Sequence, residues 1–189
     1  MWPLPDSDQP SLTSAGERTV IAAAQEGSEA AIEELFRRHW PGTHRAAYLI
    51  VRDAAAAEDI AQEAFLSALG ALERFDRRRR FAPWLHRIAV NRAIDWTRAR
   101  AVRREVAASE PVFESAGSAP PLQDQVGARD ELEAALGQLS AEHRAMIVLR
   151  YLLEYTPGEI GRMLDLPRGT VNSRLRRGLD RLSELLEGS

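Results

Sequence analysis

The 189-residue sequence contains no cysteine, which excludes a disulfide framework, a cysteine-ligated zinc or iron–sulfur site and a thiol nucleophile. It contains no lysine either. All 25 basic residues are arginine, the side chain better suited to bidentate phosphate and guanine contacts, although a GC-rich coding genome produces the same bias. Aromatic residues are only 6% of the chain, and with abundant Ala, Leu, Glu and Arg this favours helices over a β-sandwich. No stretch approaches the roughly 18 uninterrupted apolar residues of a membrane span, and residues 1–13 are too acidic and proline-rich for a signal peptide. No membrane insertion and a cytoplasmic location are expected. His39, His44, His86 and His143 make no metal-ligand spacing with carboxylates, and there is no glycine-rich phosphate loop, so the residues support neither a metal, another cofactor nor an enzyme.

The net charge of -3 conceals a segregated pattern. Residues 71–104 hold eleven Arg against three acids, residues 162–181 six Arg against two acids, and residues 105–128 four acids with no base. Two basic segments therefore flank an acidic one, as in a chain whose partner is a polyanion. The length suits two small domains joined by a linker.

Helical periodicity fills both halves. Residues 1–13 read as a disordered tail, and an apolar stripe then runs through Val20, Ile21 and Ala24 to a stop at Gly27. Ser28 and Asp53 are placed to cap further helices, and Pro41 suits the first turn of a separate one. Another helix starts near Pro83. Between Glu105 and Ala128 the periodicity fails among prolines, glycines and acids, so 105–128 is expected to be a flexible linker between domains at 14–104 and 129–189. The expected fold is all-α.

Three surfaces carry candidate chemistry. Around the helix at 57–72, apolar residues fall within an arc of about 140°, while Asp59, Gln62, Glu63 and Leu66 share the opposite side. A solvated face with a stray leucine and an acidic docking surface with an apolar centre both fit this pattern. Second, Arg77, Arg78, Arg79 and Arg80 are bracketed by Phe75 and Phe81, basic residues beside rings, as suits single-stranded nucleic acid, although a charged loop with core aromatics has the same composition. Trp84, Ile88, Asn91, Asp95 and Arg98 follow on one helical stripe. Third, Thr156, Pro157 and Glu159 form a strong helix start, residues 165–167 a stop, and a second helix buries Val171, Leu175, Leu179, Leu182 and Leu186. Its outer face shows Thr170, Ser173, Arg176 and Arg177, the arrangement of a recognition helix in a DNA major groove, though a helical hairpin with a basic face is also compatible.

The segments DIAQEAFL (59–66), FAPWLHRIAVN (81–91), EIG (159–161) and GTVNSRL (169–175) resemble, in order and spacing, the extracytoplasmic-function (ECF) subfamily of sigma-70 RNA polymerase sigma factors. The resemblance implies a first domain of region 2 type and a second of region 4 type, the latter a winged-helix-like helix-turn-helix without a wing. It implies a dissociable, non-enzymatic subunit of bacterial core RNA polymerase, monomeric when free. Core polymerase contacts, to the β′ clamp helices, would map onto Asp59, Gln62, Glu63 and Leu66, with the β flap a further contact. Capture of the minus-ten element would map onto Arg77 to Phe81 with Trp84, Asn91, Asp95 and Arg98, and reading of the minus-35 element onto Arg168, Thr170, Asn172, Ser173, Arg176 and Arg177. An anti-sigma factor is the implied regulator, with a stress or envelope-signal regulon. Asn172 stands where relatives often carry a base, which would favour an adenine edge. Gly178 stands where alanine is usual, which would soften the recognition helix. The residues alone also fit a stand-alone helix-turn-helix regulator, which would dimerise and bind duplex DNA without polymerase.

Overall fold

Short polar side chains ahead of apolar-striped segments start the helices. Ser28 and Asp53 accept hydrogen bonds from the backbone N–H groups of Ala31 and Ala56, and Ser140 does the same for His143. The computed structural model describes residues 14–109 and 127–188, and among them every regular element is helical. The N-terminal unit comprises α1 (Ser14–Gln25), α2 (Glu29–Val51), α3 (Ala54–Gly70), a 3-10 turn (Leu72–Arg74) and α4 (Phe81–Ser109). The C-terminal unit comprises α5 (Ala128–Gly137), α6 (Ala141–Ile147) continued by a π-helical turn (Val148–Leu152), α7 (Pro157–Leu164) and α8 (Arg168–Glu187). The expected tail and most of the linker lie outside the described residues.

Three expectations are corrected. Pro41 does not open a helix; α2 passes through it. An interior proline costs about 3 kcal/mol, but Leu35, Thr43, Ala46, Ala47 and Ile50 are buried on both sides of it, and packing of that continuous face outweighs the lost backbone bond. The helix preceding the linker does not end at Arg104 but runs to Ser109, because Glu105, Val106, Ala107 and Ala108 contain no breaker. Leu186 leaves the buried stripe of α8 and is 40% exposed, one turn beyond Leu182, the last leucine of the stripe that the core covers.

Two apolar cores result. One lies within the N-terminal unit, where Ile21, Leu35, Phe65, Phe81 and Leu85 meet. The other is shared: Ile50, Ile60, Val90 and Ile94 from α2, α3 and α4 pack with Leu136, Met146, Leu149, Ile160 and Val171 from the C-terminal unit. The two helical units thus complete one another's interior.

Candidate functional site

The two-sidedness of α3 is realised in full. Ala57, Ile60, Ala61, Ala64, Phe65 and Ala68 are buried, and Asp59, Gln62, Glu63 and Leu66 are exposed. Leu66 is 68% exposed, the most exposed of the large apolar side chains among the described residues. Arg92 of α4 reaches Glu63 at 2.6 Å and donates to the Ser67 hydroxyl at 2.7 Å, which fixes α4 along the acidic edge. Asp59, Glu63, Arg92, Asp95 and Trp96 line a groove of about 420 Å³ between the two helices.

The basic loop is exposed from Arg77 through Arg80, and the Arg78 N–H donates to the Asp76 carboxylate at 2.9 Å to start its turn. The rings beside it behave differently from the stacking role expected of them. Phe81 is 0% exposed and Phe75 is 8% exposed, so neither presents a face to a base. They buttress Trp84 instead, with Phe75 at 4.6 Å and Phe81 edge-on at 5.7 Å between ring centroids. Burial wins because Phe81 opens α4 against the core, next to His39 at 5.2 Å. Trp84 is half-buried and borders a cleft of about 300 Å³ with Arg79, Arg80, Arg87 and Arg162. Farther along α4, Asn91, Asp95 and Arg98 are exposed.

This face of α4 meets the C-terminal unit. Arg98 pairs with Glu142 at 2.6 Å, Arg87 with Asp165, and Arg80 with Glu159 at 3.9 Å, while Arg52 at the end of α2 pairs with Glu133 at 2.6 Å. His86 Nδ1 lies 2.8 Å from the Tyr155 hydroxyl, with both side chains buried. Burial, with a smaller effect from the charge of His39, pushes the His86 pKa down to about 4, and burial raises the Tyr155 phenol well above its ordinary value. Sequence reasoning missed these contacts. Their partners are 44 to 81 residues apart in the four hydrogen-bonded cases, and no local pattern marks them.

In the C-terminal unit the Thr156 side chain and the Glu159 carboxylate cap each other's backbone N–H groups, and these bonds hold Glu159 below the usual carboxylate range. The helix α7 ends at Asp165 in a left-handed conformation, φ 53°, and α8 begins three residues later. Val171, Leu175 and Leu182 face inward, while Arg168, Asn172, Arg176 and Arg177 are exposed and Thr170 and Ser173 half-exposed beside them. Arg177 bends back to Ser173, donating to its hydroxyl at 3.3 Å. Gly178 is a packing position: a Cβ there would stand 3.3 Å from His143 Cβ and Ile147 Cδ1, so its absence lets α8 approach α6 closely.

Two family profiles match the chain, Sigma-70 region 2 over residues 35–103 and Sigma-70, region 4 over residues 135–184. The chain is 35% identical over 162 residues to the RNA polymerase sigma factor CarQ of Myxococcus xanthus, covering 86% of this chain and 92% of that one. It is 31% identical to the ECF RNA polymerase sigma factor SigW of Bacillus subtilis, covering 88% and 94%. Among solved structures it is similar to CnrH in complex with the cytosolic domain of CnrY, with a TM-score of 0.68, 29% identity and coverage of 92% and 98%. The sigma factor RpoE in complex with the anti-sigma factor NepR from Bartonella quintana gives a TM-score of 0.64 at 25% identity, covering 82% and 96%.

Proposed function

The chain belongs to the sigma-70 family of RNA polymerase sigma factors, in the ECF subfamily, and from that membership we propose how its surfaces divide the work of promoter recognition in the bacterial cytoplasm. The face of Asp59, Gln62, Glu63 and Leu66 docks on the β′ clamp helices of core polymerase. An apolar side chain ringed by acids suits a basic helical partner, since the ring steers and orients while the centre is desolvated. The C-terminal unit contacts the β flap.

The loop Arg77 to Arg80 and the α4 positions Trp84, Asn91, Asp95 and Arg98 engage the minus-ten element. Four adjacent guanidinium groups repel one another until phosphate lies between them, and the exposed part of Trp84 offers a stacking surface for an unpaired base. Unstacking costs a few kcal/mol per base, and base–aromatic stacking returns about 1–3 kcal/mol of it. Phe81 contributes by holding Trp84. Arg168, Thr170, Asn172, Ser173, Arg176 and Arg177 read the minus-35 element from the major groove. The protein performs no chemistry of its own; it supplies specificity and melting to the polymerase. An anti-sigma factor restrains it, as the CnrY and NepR complexes support.

The observation that carries this reading is the order of the two matched regions, each bearing an outward face suited to its part. The test is co-elution with core polymerase and run-off transcription on a promoter library. Wild-type protein is expected to confer sequence-specific initiation, and Asp59→Arg with Glu63→Arg to abolish it with the helical circular dichroism unchanged. Tight duplex binding by the protein alone, with no affinity for core, would overturn the reading.

A further inference from the structure

Arg144 lies on α6, where that helix meets α2 and α4, and is only 6% exposed. A guanidinium is always charged and carries five N–H donors. When one is buried, its charge needs a partner and its donors need acceptors. Arg144 has no acidic partner among the described residues, and its Nε is buried without any hydrogen-bond acceptor. Desolvation, and then the charge of Arg52, pull its pKa down. This is the reverse of Arg52, Arg80, Arg87 and Arg98 at the seam, each of which faces a carboxylate.

Arg144 borders a cleft of about 210 Å³, lined also by Arg52, Arg100, Arg104 and Trp96. Arg52 and Arg100 are already engaged, with Glu133 at 2.6 Å and with Asp53 at 2.8 Å. Arg100 also stacks on Trp96 at 4.9 Å, which stiffens that wall. Arg144 and the exposed Arg104 therefore remain as two cations without an acid among the described residues. A single carboxylate would neutralise one of them; a phosphoryl group carries the charge and the number of oxygens for both. The volume equals that of roughly seven waters in the liquid, enough for a pyrophosphate group.

We propose that this cleft is a phosphoryl-anion site that takes the pyrophosphate group, either of inorganic pyrophosphate or of a free nucleoside diphosphate. Arg52, Arg100 and Arg104 come from the N-terminal unit and Arg144 from the C-terminal one, so the site is complete only while the units are packed. Its ligand consequently favours the packed arrangement by mass action. The proposal depends on this packing and not on promoter recognition, so its failure would leave the sigma-factor reading untouched.

The test is calorimetric titration of the full chain with inorganic pyrophosphate and, separately, with ADP, at an ionic strength fixed with sodium chloride, together with thermal melts. Saturable one-site binding and a raised melting temperature are expected, with affinity at least tenfold lower in Arg144→Met and in Arg104→Gln. Equal binding of both probes identifies the pyrophosphate group as the recognised element, and binding of pyrophosphate alone identifies the inorganic source. Arg104 is exposed at the rim, so Arg104→Gln decides the matter if Arg144→Met fails to fold. Absence of saturable binding, the same response to sulfate, or wild-type affinity in the folded variants would overturn the proposal.

Discussion

A single residue in the helix-turn-helix shows how a short motif acquires meaning from contacts. In the segment EIG, Glu159 closes the cap of α7 and Ile160 is fully buried. Gly161 sits where a Cβ would stand 2.7 Å from the Leu166 carbonyl oxygen, and its own carbonyl accepts the Leu166 N–H at 2.9 Å. The turn between the two helices closes onto that glycine. Gly161→Ala is therefore expected to destabilise the protein by about 2 kcal/mol, as overpacking against backbone does, read as a lower urea midpoint with an unchanged slope. The motif was visible in the sequence, but its reason was not, because the obstructing atom belongs to Leu166 in the turn and reaches the glycine only once the turn has closed. Phe81 teaches the converse. A ring next to a basic run has the composition of a nucleic-acid contact and of a core position alike, and only burial separates them.

At the scale of helices, periodicity was the reliable guide. The apolar arc of α3, the capping box of Thr156 and the outward face of α8 could all be placed from the spacing of residues, since each depends on neighbours within a turn or two. Pro41 defeated the same reasoning because its neighbours are stabilised by packing against other helices rather than by local preference. The recognition helix offers a direct comparison of roles. If Arg176 reads a base, Arg176→Ala should cost about 1–3 kcal/mol and relax specificity at one promoter position. If Arg168, exposed at the start of α8, contacts a phosphate, Arg168→Ala should weaken binding evenly across sequences and reduce its salt dependence by about one unit of slope. Competition binding of the holoenzyme to minus-35 variants at several salt concentrations distinguishes the two.

Across the whole molecule, the seam between the units was invisible beforehand. It joins residues far apart in the chain, and its polar contacts look like ordinary surface charges in the sequence. It also engages two residues proposed above for promoter binding: Glu142 pairs with Arg98 and Glu159 approaches Arg80, so on that proposal DNA phosphates replace these carboxylates. The buried pair of His86 and Tyr155 makes the arrangement sensitive to acid. His86 ordinarily titrates near 6.5 and is pushed down to about 4 in the folded chain. The unfolded chain therefore binds the proton first, and stability is expected to be flat above pH 6.5 and to fall as the pH drops from there towards 4, by about 3 kcal/mol in all. Urea unfolding between pH 7 and 5 measures the upper part of this fall before carboxylates titrate, and His86→Gln should flatten it.

The shared core also gives the molecule a thermal character. Separating the units uncovers Ile60, Val90, Met146, Leu149 and their neighbours, and hydrating such surface raises the heat capacity. The enthalpy of separation must then change steeply with temperature, and the preference for the closed form follows a dome rather than a line. Cooling below the top of that dome weakens the apolar grip between the units. The hold of one unit on the other is in that sense a property of the water around them as much as of their own residues.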